Sequence, residues 1–230
     1  MIIEILTVIA PVGLIAVLGF VWDRRGLPFD TNMMAVLVTR IGAPSLIVST
    51  LLDNRPDPNV IAEMALAALS LVFGVAVVAA IGLRLSRQSL KAFLPALTFP
   101  NAGNMGIPLC LFAFGDEGLA LSVTFFAAMA ITQFTLGLTV ASGRFASRDV
   151  MTNPVLWAAA LSTVLLFTDA ELPRWIDSTV DVIAGLVIPL MLMSLGISLS
   201  RLKSSSLVRS TSFAVSRLLL GFMGGVLVTS

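Results

Sequence analysis

The residues best placed to do chemistry lie in one stretch, Thr98-Phe99-Pro100-Asn101-Ala102-Gly103-Asn104-Met105-Gly106-Ile107-Pro108, inside a long apolar run. Pro100 and Pro108 have no backbone N–H and cannot complete helical hydrogen bonds. Gly103 and Gly106 weaken a helix and let another backbone come close. Asn101 and Asn104 bring carboxamide donors and acceptors to membrane depth. The pattern predicts a helix that breaks and restarts. The restarted half begins with N–H groups that carry partial positive charge and have no helical partner. Together with asparagine donors, such an end suits a carboxylate without placing a full positive charge in lipid. The chemistry is therefore capture and release of a small organic anion rather than bond making. The competing reading is a kinked helix whose glycines serve packing and whose asparagines bond to neighbouring helices. Polar groups inside a membrane favour the functional reading. Gln133 lies well inside the next apolar run and either lines the same cavity or hydrogen-bonds between helices.

Several chemistries are excluded by what the chain lacks. It has no histidine and a single cysteine, Cys110. Ser-His-Asp and Cys-His nucleophiles, the usual zinc sites and an intrachain disulfide are thereby removed, so no enzyme, metal or cofactor is expected. The net charge is +1, from 14 basic and 13 acidic residues, which makes nucleic acid an unsuitable partner. Partners are instead a small organic acid and membrane lipid, with a homodimer left open.

These residues must be held by helices in a bilayer. Of 230 residues, 57% are hydrophobic and only 12% are charged, about half the charged fraction of a soluble domain. Apolar runs fall at about 4–22, 33–52, 60–83, 92–113, 119–141, 154–168, 179–199 and 209–230, the sixth being short for a span. None alternates like an outer-membrane strand, so the expected fold is an all-α polytopic membrane protein of seven or eight helices. The first run lacks a basic leader and carries Glu4, so it reads as a retained helix. Loops after the odd runs hold ten Lys/Arg and those after the even runs two. The positive-inside rule then places the N-terminus outside a cell inner (plasma) membrane.

Two further patterns bear on organisation. Pro11 and Pro154 lie 143 residues apart, and Pro44 and Pro189 lie 145 apart. Near-equal offsets suggest that a first five-helix repeat, 1–141, recurs inverted as 142–230, an arrangement typical of secondary transporters. Such a second repeat needs about two more helices than the chain supplies, so the expectation is truncation after helix eight. A naturally seven- or eight-helix protein is the alternative. Glu63 and Asp181 are read as acids near helix N-termini, and Thr132 and Thr135 as bonding back to their own helix. Arg217 is read as snorkelling to the interface or pairing with an acid.

The stretch Pro100-Asn101-Ala102-Gly103-Asn104-Met105-Gly106-Ile107-Pro108 resembles the broken fourth helix of the auxin efflux carrier family, which includes plant PIN proteins and bacterial malate and malonate permeases. Phe114-Gly115-Asp116-Glu117-Gly118, Asn153-Pro154, Leu195-Gly196-Ile197-Ser198-Leu199 and Arg217-Leu218 fit the same resemblance. It implies ten helices in an inverted five-helix repeat, similar to bile acid symporters and sodium/proton antiporters, with broken helices four and nine crossing at the substrate. It implies alternating-access transport of carboxylates such as malate, malonate or auxin-like acids, with Asn101 at the substrate carboxylate. Helix nine would fall near residue 245, about 144 residues after Asn101 and past Ser230. A non-transporting fragment and an ion channel or exchanger therefore stay open beside the carrier.

Overall fold

A computed structural model describes residues 2–142, 151–168, 170–202 and 207–229. Among these the secondary structure is helical throughout. The elements are α1 (Ile2–Arg24), α2 (Thr31–Leu37), α3 (Ala43–Asn54), α4 (Pro58–Leu85), α5 (Leu90–Thr98), α6 (Ile107–Thr132), α7 (Leu138–Ser142), α8 (Pro154–Thr168), α9 (Arg174–Ser200) and α10 (Leu207–Thr229). Wider π turns at Val38–Gly42, Ala102–Gly106 and Gln133–Gly137 join α2 to α3, open α6 and join α6 to α7.

Six stretches among the described residues are long and apolar enough to cross a membrane: Ile5–Arg24, Thr31–Asn54, Pro58–Leu85, Leu90–Val140, Arg174–Ser200 and Thr211–Val228. These six stretches and the eight runs of the sequence differ in two places, and at the first the two runs remain two helices that meet at a kink. Runs 92–113 and 119–141 fall within the single 51-residue stretch Leu90–Val140, because Gly115 interrupts the helix without a separating loop. Its φ of 66° and ψ of −150° belong to backbone that a side chain disfavours. The sixth run forms α8, whose 15 residues are short for a crossing, as its length suggested. Large side chains such as Leu14, Phe73, Trp157 and Leu218 lie exposed on these helices, as lipid rather than water would require.

Helix starts follow local capping chemistry. The Asp30 carboxylate accepts from the N–H groups of Asn32 (2.9 Å) and Met33 (3.0 Å) and caps α2. Asp57 accepts from Asn59 N–H at 2.7 Å, with Pro58 in the first helical position of α4. Asn153 accepts from Val155 N–H at 2.9 Å beside Pro154 at the start of α8. α9 begins at Arg174, so Asp181 stands two turns inside the helix rather than at its N-terminus.

The chain divides into two compact units. The first comprises Met1–Ile61, Asn101–Ala127 and Asn153–Leu202. Here α9 packs along α1 and α3, and α8 packs on α3. Ile47, Ile107, Val123, Leu192 and Ile197 form its fully buried centre. The α1–α9 pairing is close enough that a Cβ on Gly19 would strike the Met193 carbonyl, and one on Gly196 the Ala16 carbonyl. At the end of the same pair Arg201 Nε donates to Asp23 at 2.7 Å, and the Ser200 hydroxyl donates to the same carboxylate. The second unit comprises Ala62–Pro100, Ala128–Thr152 and Lys203–Ser230. Its core gathers Ala79, Leu83 and Leu97, with Phe93 stacked on Phe213 at a ring separation of 4.6 Å.

Candidate functional site

α5 stops at Thr98 because the next residues forbid its continuation. Phe99 precedes a proline and is pushed out of helical geometry, to φ −93° and ψ 112°. Pro100 offers no N–H. Asn101 (φ −78°, ψ 58°) restarts the chain, and its carbonyl accepts from the N–H groups of both Met105 and Gly106 at 3.2 Å. Ile107 N–H then bonds to Ala102, giving the five-residue turn that leads into α6. The N–H groups of Ala102, Gly103 and Asn104 precede any carbonyl that this restarted helix could offer them. The break expected from the sequence is thus present. It coincides with the point where the chain leaves one compact unit (at Pro100) and enters the other (at Asn101).

The sequence-predicted site residues divide between the units. In the first, Asn101 is exposed and Asn104 half-buried. Gly103 is buried, where a Cβ would lie 3.2 Å from a ring carbon of Phe126 and 3.6 Å from the Met191 methyl. Gly106 has room for a methyl group, its nearest neighbour being the Ala102 Cβ at 3.7 Å. Pro108 is fully buried. Pro100 and Gln133 belong to the second unit, and Gln133 is half-buried in the π turn after α6. Thr132 and Thr135 bond back to the carbonyls of Ala128 (2.9 Å) and Ile131 (2.7 Å), as their positions suggested.

Two features were not legible beforehand. In the second unit, Arg217 Nη2 donates to the Phe99 carbonyl at 2.6 Å. Arg217 therefore neither snorkels outward nor, among the described residues, pairs with an acid. In the first unit a cavity of about 750 Å³ is lined by Ser49, Thr50, Asp53, Asp116 and Asp181 among apolar neighbours, including Leu111 and Phe112 just after Pro108. One oxygen of Asp181 is buried there without a hydrogen-bond partner. The three aspartates come from segments far apart in the chain, so no local motif announces them. Among the described residues, no group of three or more Cys, Asp or Glu side chains is placed to hold a metal ion.

Comparison with known proteins adds two findings. A family model described as a membrane transport protein matches residues 4–152. The chain is also 31% identical over 127 residues to an uncharacterized transporter of Methanocaldococcus jannaschii, an alignment that covers 51% of this chain and 41% of that protein. The matched region thus spans about two-fifths of the relative's length.

Proposed function

Because the chain belongs to the membrane transport protein family, the group of the auxin efflux carriers, we propose that it is part of a secondary carrier that moves small organic anions by alternating access. The observation that carries this reading is the break itself. It ends one helix at Thr98 and opens another at Ala102 inside an otherwise apolar stretch, with Asn101 exposed at the restart. Helix N-termini bind carboxylates through free N–H groups and their partial positive charge. In this reading Asn101 and Asn104 supply the donors, and the buried Gly103 lets the turn pack closely. Pro100 ends the first half-helix, whereas Gly106 and Pro108, which the sequence placed in the break, lie in the restarted helix. The protein lies in the plasma membrane with its N-terminus outside, and the repeat begun by α1 recurs inverted from α8.

The test is transport in proteoliposomes loaded on one side, with radiolabelled malonate and malate as probes. Asn101→Ala is expected to reduce uptake at least ~10-fold while protein incorporation stays the same, the loss of a hydrogen bond to a charged group. Unchanged transport kinetics in that variant would remove Asn101 from the site. A second reading, cation exchange, is favoured by the cavity that holds Asp53, Asp116 and Asp181. Sodium or proton flux that is independent of any organic acid, and is lost in Asp181→Asn, would favour it over the anion carrier.

A further inference from the structure

Arg217 stands near the middle of α10, within a stretch apolar enough to cross a membrane. A guanidinium at such a depth is expensive and is kept only where it has company that needs it. Its position on the helix shows which company that is. Phe213, Arg217, Leu220 and Gly224 follow the three- and four-residue spacing of a single helix face. Phe213 stacks on Phe93 of α5, and Leu220 packs on the Ala79–Leu83–Leu97 cluster. A Cβ on Gly224 would lie 3.5 Å from Val75 of α4. Arg217 is the charged member of this otherwise apolar, inward-facing stripe, and the stripe brings it to the Phe99 carbonyl, just past the end of α5.

That carbonyl needs a donor. Carbonyls at and just past a helix end have no partner within it, and Phe99, in extended geometry after Thr98, holds one of them. Lipid offers no water to satisfy them. Phe99 is the residue before Pro100, so whatever holds its carbonyl also holds the peptide plane through which Pro100 leaves the helix. The side chain of Phe99 is held as well, since a Cβ on Gly137 would lie 2.7 Å from its ring. Arginine suits the task because its charge is permanent and its planar fork offers several donors.

We propose that Arg217 is the positioning residue of the break: by gripping the Phe99 carbonyl it sets how Asn101 is presented, and so sets affinity for the transported carboxylate. This rests on the carrier reading for its consequence, but not for its geometry. Two measurements on the full chain in nanodiscs and proteoliposomes separate the two. The first is hydrogen exchange of the peptides that span residues 99–106. Arg217→Gln is expected to raise exchange there at least ~10-fold and Arg217→Lys about threefold, with peptides of α9 unchanged, as local loss of one charge-assisted bond predicts. The second is malonate uptake. Arg217→Gln raises KM about tenfold with Vmax within about threefold, and Arg217→Lys restores most of the affinity. Leu218→Ala, on the exposed side of the same helix, is the matched control.

Exchange at 99–106 equal to wild type in Arg217→Gln overturns the proposal. So does a fall in Vmax at constant KM, or a lysine variant no better than glutamine. If Arg217→Gln does not fold, Arg217→Lys decides: a rise confined to 99–106 supports the grip, and a rise spread along the chain overturns it. If wild-type protein moves no acid while exchange responds as stated, the carrier reading fails and the grip on the break stands.

Discussion

Replacing Gly196 with alanine tests the tightest helix contact in the first unit. A Cβ at this position lies 2.7 Å from the Ala16 carbonyl carbon and 2.9 Å from the Phe20 nitrogen, with the Ala16 oxygen nearer still. All three atoms are backbone of α1 and cannot rotate away. Ordinary contact begins at 3.4 Å, so the carbonyl carbon alone demands a separation of about 0.7 Å and the nearer oxygen demands more. A radial gap of that size forfeits roughly a quarter to a half of the dispersion attraction along the contact. Overpacking of this kind costs about 1–3 kcal/mol, against which alanine recovers up to about 1 kcal/mol of helix propensity. The matched control is Gly185→Ala on the same helix, where nothing lies within 4 Å of the new methyl group and only the propensity gain remains. Gly196→Ala should therefore unfold about 1–3 kcal/mol less stably than Gly185→Ala. Denaturation by SDS in mixed micelles, followed through tryptophan fluorescence, measures the difference, with Trp22 near the end of α1 as a local reporter. Equal midpoints for the two variants would show that α1 and α9 do not meet backbone to backbone, and the argument from Gly19 and Gly196 would fall together.

Other outcomes follow from the same geometry. Asp23→Asn removes the charge that Arg201 and Ser200 share and should lower the unfolding midpoint by less than Gly196→Ala. The difference between Asp23→Asn and wild type should shrink between about 0.1 M and 1 M salt, because Arg201 is partly exposed and screened. Gly115→Ala meets no neighbouring atom within 4 Å, yet φ there is +66°, so a loss of about 1–3 kcal/mol in the same unfolding assay would be purely conformational. Wild-type stability in Gly115→Ala would remove the kink.

What could be read in advance depended on whether the signal was local. The break at Phe99 to Asn101 was legible because proline acts on its own residue and the one before it, so Pro100 announces both the missing donor and the extended Phe99. The capping of α8 by Asn153 and the back-bonding of Thr132 and Thr135 are likewise events within one turn. The start of α9 at Arg174 was missed because the charges of Glu171, Arg174 and Asp177 make the segment look like loop, which displaced Asp181 from its assigned place. Arg217 could not be assigned, since its partner lies 118 residues away and only the packing of α10 on α5 brings the two together. The aspartate cavity was hidden for the same reason. Asp53 and Asp116 look like ordinary loop acids until the first unit sets them around one space with Asp181.

The π turn at Val38–Gly42 carries a consequence for chain length. A wider turn holds one residue more than the α-helix around it, and one residue is about 100° of rotation. Thr31–Leu37, before it, buries nothing, whereas Ala43, Leu46, Ile47, Val48, Thr50 and Leu51, after it, are buried. The extra residue is thus a phase shifter that lets one span change the face it shows to its neighbours halfway along. Loss of the single codon for Thr39 would leave a smooth helix of nearly the same hydropathy. It would also swing Ser49 and Asp53 a quarter-turn out of the cavity relative to α2. In this segment the number of residues is as much a part of the specification as their identity.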